Sequence, residues 1–192
     1  MRICVYGASS TEIDDKYIQE TEKFGRMLAQ RGHSLVFGGG SQGLMGAAAR
    51  GVDQENGEII GIAPTFFLEV DGVLYNHCSQ FLYTETMRER KQLMEEHADA
   101  FVVTPGGIGT FEEFFEILTL KQLGRHTKPI VVFNILGYFD NMNAMIENAI
   151  EQKFMKPECR KLCAILNTPD DVLDYIEHYI GEKVDSKHYK NI

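Results

Sequence analysis

Residues 100–123 read Ala-Phe-Val-Val-Thr-Pro-Gly-Gly-Ile-Gly-Thr-Phe-Glu-Glu-Phe-Phe-Glu-Ile-Leu-Thr-Leu-Lys-Gln-Leu. Ala100–Val103 is apolar at every position, the composition of a strand buried on both faces. It passes through a glycine-rich loop into a helical pattern that continues to Leu123. The same unit recurs on either side. Upstream, Arg2–Tyr6 ends at Gly7-Ala8-Ser9-Ser10 and leads to a helix over 14–31, stopped by Gly32. Ser34–Phe37 ends at Gly38-Gly39-Gly40-Ser41-Gln42-Gly43 and leads to a helix over 44–56, stopped by Gly57. A third strand over 59–63 and a longer loop over 64–77 precede a strand at 80–83 and a helix over 84–98. Downstream come a buried strand at 129–133, a helix over 138–153 and a last helix over 169–180. Apolar strands that alternate with helices build a parallel sheet covered on both faces. The fold predicted is a Rossmann-like α/β sandwich in one domain, residues 1–181, with a loosely held C-terminal tail at 182–192.

The 192 residues, 44% hydrophobic and 24% charged, have the composition of a globular domain. A net charge of −9 without a Lys/Arg-rich run argues against nucleic acid as a partner. No apolar run approaches the roughly 20 residues that a bilayer crossing needs, and residues 1–6 lack a signal-peptide pattern, so a cytoplasmic protein with no membrane partner is expected. The four cysteines read as free thiols, and the six scattered histidines follow no ligand spacing, so no metal site is expected.

In an open α/β sheet, ligands sit beyond the carboxyl ends of the strands, where helix N-termini present unpaired N–H groups. Three glycine- or serine-rich loops fall there, at 7–10, 38–46 and 105–110, and together they predict an anionic ligand, most simply a nucleotide. Gly38, Gly40 and Gly43 satisfy G-x-G-x-x-G, but no acidic residue ends the next strand, Ile59-Ile60-Gly61-Ile62-Ala63. The glycines therefore read either as a tight turn with close helix packing or as a mononucleotide loop.

Two residues stand out. Tyr83, Met87, Met94 and Ala98 form an apolar stripe at helical spacing with Arg90 in its middle. Arg90 either snorkels to water or meets a ligand's phosphate, carboxylate or hydroxyl. Thr110-Phe111-Glu112-Glu113 has the spacing of a capping box, which would make Glu113 a helix cap. Its apolar neighbours Phe111, Phe114, Phe115 and Ile117 favour a second role, that of an acid/base group with a raised pKa.

Gly38-Gly39-Gly40 through Gly43-Leu44-Met45-Gly46, Met87-x-x-Arg90-Lys91, and Pro105-Gly106-Gly107-x-Gly109-Thr110-x-x-Glu113 resemble the motifs of the Lonely Guy family of cytokinin riboside 5′-monophosphate phosphoribohydrolases. The resemblance extends through Gln122-Leu123-Gly124, Lys128-Pro129 and Gly137-Tyr138. It implies hydrolysis of the N-glycosidic bond of AMP or an N6-substituted AMP, with Arg90 and Glu113 as the catalytic pair and neither metal nor redox cofactor. It further implies a nucleotide site containing Ser9, Gly39, Gly40, Met45, Met87, Lys91, Pro105, Gly106, Gly107, Gly109, Thr110 and Glu112, with Glu69 as a further substrate-contacting acid. The stretch between Glu69 and Arg90 is longer than is usual in that family, which bears on the N6 substituent accepted. A homodimer with its site near the interface is also implied. Some relatives of this pattern are labelled lysine decarboxylase, a chemistry that uses a Schiff-base lysine, whereas Lys91 sits inside the nucleotide pattern beside Arg90. The non-enzymatic alternative is a nucleotide-binding or sensing module of the same fold, for which Arg90 and Glu113 would not be needed together.

Overall fold

Side chains along β1 (Arg2–Tyr6) alternate between two cores. Ile3 and Val5 join a cluster with Phe24, Leu28, Ala48, Val52 and Leu173, whereas Cys4 and Tyr6 join one with Met94, Phe101, Phe114 and Met142. A sheet with an apolar cluster on each face must be covered twice. A computed structural model describes residues 1–181, and the tail expected at 182–192 lies outside the described residues.

The remaining elements follow in order: α1 (Asp15–Gln30), β2 (Ser34–Phe37), α2 (Gly43–Gln54), β3 (Ile59–Pro64), β4 (Gln80–Thr84), α3 (Met87–His97), β5 (Ala100–Val103), α4 (Ile108–Gln122), β6 (Ile130–Phe133), α5 (Asp140–Glu151), β7 (Ala164–Leu166) and α6 (Pro169–Glu177). The seven strands form one sheet, all neighbours parallel, in the order β4-β3-β2-β1-β5-β6-β7. Helices α1, α2 and α6 cover one face and α3, α4 and α5 the other. The Rossmann-like sandwich read from the sequence is thus the fold observed. Among the described residues no helix is long and apolar enough to cross a membrane.

Three local readings need correction. The chain after α5 forms a seventh strand that the sequence did not announce, because β7 has three half-buried residues and lies at the sheet edge. The helix expected from residue 84 starts at Met87, since Thr86 caps it: Thr86 accepts from the Glu89 N–H, and Glu89 accepts from the Thr86 N–H. Tyr83 consequently stands on β4, and Tyr83 and Met87 are exposed, so the buried residues of α3 are Arg90 and Met94.

The strand order reverses direction at β1, with β2 on one side and β5 on the other, and this switch point is where such sheets bind ligands. Val5 is level with both Phe37 and Val102, so the loops after β1, β2 and β5 emerge at the same height.

On the opposite flank of α4, Lys121 is 1% exposed, and its Nζ has no hydrogen-bond partner among the described residues, lying 4.8 Å from the Tyr179 ring centroid. Burial pushes its pKa down to about 8 from an ordinary 10.5. The unfolded chain therefore binds the proton more tightly, and the destabilisation is complete below pH 8 and fades as pH rises from about 8 to 10.5. Lys121→Met is expected to raise the melting temperature by several degrees at pH 7 and by much less at pH 10, as thermal melts at the two pH values would show.

Candidate active site

The loops after β1, β2 and β5 are tied to one another, and the ties decide which of them can hold an anion. The Ala8 N–H donates to the Pro105 carbonyl (3.0 Å), and the Thr104 hydroxyl donates to the Tyr6 carbonyl (3.0 Å). The Ala8 carbonyl in turn accepts from Leu44 N–H (2.8 Å) and Met45 N–H (3.3 Å), the first-turn amides of α2. Gly43 makes this contact possible: its φ is +61°, and a Cβ there would lie 2.3 Å from the Ala8 oxygen. The helix that follows G-x-G-x-x-G thus has its N-terminus closed by the protein's own backbone. Two of the first-turn amides that a dinucleotide cradle would offer to a pyrophosphate are therefore already taken.

The N-terminus of α4 is different. Its first internal hydrogen bond runs from Phe111 N–H to the Gly107 carbonyl (3.0 Å), which leaves the Ile108, Gly109 and Thr110 amides ahead of it without a partner inside the helix, and all three residues line an open cavity. The cap residue is Gly107, so Thr110 lies inside the helix and the capping box expected at Thr110 and Glu113 does not form. Glu113 is left free to point elsewhere.

It points at Arg90. The Arg90 guanidinium donates from Nη1 to Glu113 Oε1 (3.3 Å) and from Nε to the Ile62 carbonyl at the end of β3 (3.2 Å). Both side chains are nearly enclosed, at 6% and 11% exposure. Gly38 supplies the space, because a Cβ there would stand 1.7 Å from Arg90 Nη2. Burial drives the Glu113 pKa up to about 7, and the Arg90 charge holds it from rising further. The snorkelling alternative for Arg90 is excluded by this geometry.

Around the pair lies a cavity of about 780 Å³. Of the residues expected in the site, Ser9, Gly40, Met45, Met87, Lys91, Gly107, Gly109, Thr110 and Glu112 line it together with Arg90 and Glu113. Gly39, Glu69, Pro105 and Gly106 do not. Gly39 is packed against Phe81, Pro105 accepts from Ala8, Gly106 accepts from the Tyr138 hydroxyl (2.6 Å), and Glu69 is exposed at the end of a 3-10 turn, Thr65–Glu69. Three of these four support the wall from behind. The wall also takes in Gly7, Ala8, Gly38, Gln42 and Ile108, all within the three glycine- or serine-rich loops read from the sequence. The sequence reading missed Phe67, Val73 and Arg88: Arg88 lies in the gap of Met87-x-x-Arg90, and Phe67 and Val73 come from the β3–β4 connection and carry no motif.

Lys91 is paired with both Glu112 and Glu116. Burial works against its charge, but the two carboxylates outweigh burial and hold its pKa above the ordinary value. A Schiff-base lysine requires the opposite shift. Lys121, whose pKa is lowered, lies on α4 some 20 Å along the axis from the cavity mouth.

A family model described as "Possible lysine decarboxylase" matches residues 45–176. A protein of Oryza sativa subsp. japonica named "Probable cytokinin riboside 5′-monophosphate phosphoribohydrolase LOGL5" is 35% identical over 179 residues, covering 93% of this chain and 72% of its own. This chain belongs to the Lonely Guy family. The Arabidopsis thaliana relative named "Cytokinin riboside 5′-monophosphate phosphoribohydrolase LOG2" is 33% identical over 186 residues, covering 96% and 86%. Among solved structures, the molybdenum cofactor binding protein from Rippkaea orientalis superposes with a TM-score of 0.71 over 92% of this chain and 94% of that one, at 19% identity. That likeness speaks for the fold of this Lonely Guy family member and for nothing more specific.

Carbon-detected NMR of the Glu113 carboxyl is expected to show a titration midpoint near 7. In Arg90→Ala the midpoint moves higher, because the charge that favours the carboxylate is gone. An ordinary midpoint near 4.5 in the wild type would contradict the burial described.

Proposed function

We propose that this protein hydrolyses the N-glycosidic bond of a purine nucleoside 5′-monophosphate, AMP or an N6-substituted AMP of the cytokinin type, to the free base and ribose 5-phosphate. The observation that carries the reading is the enclosed Arg90–Glu113 pair beside the open N-terminus of α4. The names of the relatives support the same class of reaction.

The 5′-phosphate rests on the amides of Ile108, Gly109 and Thr110, where the helix dipole and unpaired N–H groups favour an anion. Anchoring it there holds the ribose over Glu113, one turn further along α4. Departure of the base breaks the C1′–N9 bond, sends its electron pair to the base and leaves positive charge on the sugar. The Glu113 carboxylate stabilises that cation and takes a proton from the attacking water, whose oxygen forms the new bond to C1′; the departing base takes up one proton from solvent at a ring nitrogen, and Glu113 returns the proton it took to solvent, so that one water is divided between base and sugar. A pKa near 7 suits this role, since the group is ionised for much of the time at neutral pH yet still basic enough to accept the proton. Arg90, fixed by the Ile62 carbonyl, aims the carboxylate and keeps it from being wholly protonated. The protein works as a homodimer in this reading: Ile108 and Met87 are exposed on the cavity wall, apolar surface that a second copy would cover.

Purified protein is expected to release free base from AMP and from isopentenyladenosine monophosphate, followed by chromatography. Glu113→Gln is expected to lose roughly a hundredfold or more of kcat with an unchanged circular dichroism spectrum. Since the ionised carboxylate is the working form, kcat/KM rises as pH increases through about 7 and levels off above it. A folded Glu113→Gln that keeps wild-type rates would overturn the assignment.

A further inference from the structure

The connection between β3 and β4 is a fixed part of the cavity wall. The Ser41 N–H donates to the Val73 carbonyl (2.8 Å), the Tyr75 N–H to the Gly39 carbonyl (2.9 Å), and the Ser41 hydroxyl to the Gly72 carbonyl (2.6 Å). Further along, the Tyr75 hydroxyl and His77 Nδ1 both meet the Asp53 carboxylate on α2, each at 2.8 Å. These contacts fasten residues 72–77 to the loop after β2 and to α2 and hold Val73 against the catalytic cavity, which Phe67 reaches from the preceding 3-10 turn.

Behind the segment is a second cavity of about 330 Å³, whose walls include Leu68, Leu74, Phe81 and Tyr83, the last two rings stacked at 4.8 Å. Among the residues on the walls of the two cavities, Phe67 alone belongs to both. The catalytic cavity runs from the α4 N-terminus past Arg90, which is bonded to Ile62 of β3, to Phe67. β5, which delivers the α4 N-terminus, and β3, which delivers Phe67, are separated by β1 and β2, a distance of three strand spacings or roughly 14 Å. The cavity thus gives a nucleotide whose phosphate sits at α4, as proposed, room to extend its base toward β3.

We infer that Phe67 sets the size of the exocyclic substituent that the base can carry, its ring closing the catalytic cavity off from the second chamber. The inference rests on the nucleotide reading given under Proposed function. Phe67 acts by excluding volume, and the groove behind it, open to solvent and lined by Asp71 and Asn76 as well as by the Phe81 and Tyr83 rings, has room for a flat group stacked on those rings once the Phe67 ring is removed.

The test compares AMP with N6-benzyl-AMP on wild type, Phe67→Ala and Phe67→Trp, measuring base release and, by calorimetry, binding. The ratio of kcat/KM for the benzyl nucleotide to that for AMP is expected to rise roughly tenfold or more in Phe67→Ala and to fall in Phe67→Trp. A ratio that stays within about twofold of wild type in both variants, or moves the opposite way, overturns the inference while leaving the hydrolase reading intact. If the wild type binds both nucleotides but releases base from neither, the hydrolase reading fails and the same ratio taken from dissociation constants decides the inference. If neither nucleotide binds, both fail.

Discussion

A guanidinium and a carboxylate enclosed together beneath a glycine loop set the terms for the rest of this site. Removing two charges from water costs several kcal/mol per ion unless each is answered by good partners, and losing one partner alone leaves a penalty of about 3–5 kcal/mol. Arg90 is answered twice, by Glu113 and by the Ile62 carbonyl at the end of a buried strand. Gly38 must remain without a side chain for the guanidinium to occupy its place. Glu113 can face it only because α4 starts at Ile108 and the glutamate is released from capping. The compensation is incomplete, which is why the carboxyl titrates near 7 rather than near 4.5.

The two glycine-rich helix starts show how backbone hydrogen bonds sort sites that look alike in composition. Both offer first-turn amides at the switch point of the sheet. At α2 those amides are satisfied by the Ala8 carbonyl, so the turn serves to brace the loop after β1. At α4 they lack partners within the helix and their residues line the cavity, while Gly106 before them is fixed by the Tyr138 hydroxyl. One helix start is closed by backbone and the other is open.

Much of the architecture was legible in the chain. Uniformly apolar strands such as Ile130–Phe133 can only be interior, and their alternation with helices leaves a parallel sandwich as the solution. Arg90 and Glu113 were also legible, each as a polar group in apolar company. β7 was not, because three half-buried residues carry no period, and neither were Phe67, which belongs to no motif, and Val73, whose place depends on hydrogen bonds from a connecting segment to a loop more than thirty residues earlier. Glu69 shows the reverse: the resemblance implies a substrate contact for it, yet it is exposed at the end of its 3-10 turn and off the cavity wall.

By itself, then, the sequence determined the order of strands and helices up to the edge strand β7, the two-sided burial of the sheet and the residue types available at its carboxyl edge, since these follow from local periodicity and composition. Tertiary structure alone decided which glycine loop is open to an anion, whether Glu113 caps a helix or faces Arg90, and which part of the β3–β4 connection walls the cavity. Each of those outcomes turns on a contact between segments distant in the chain, Ala8 with Leu44, Arg90 with Glu113, Ser41 with Val73, and no local pattern specifies whether two such segments meet.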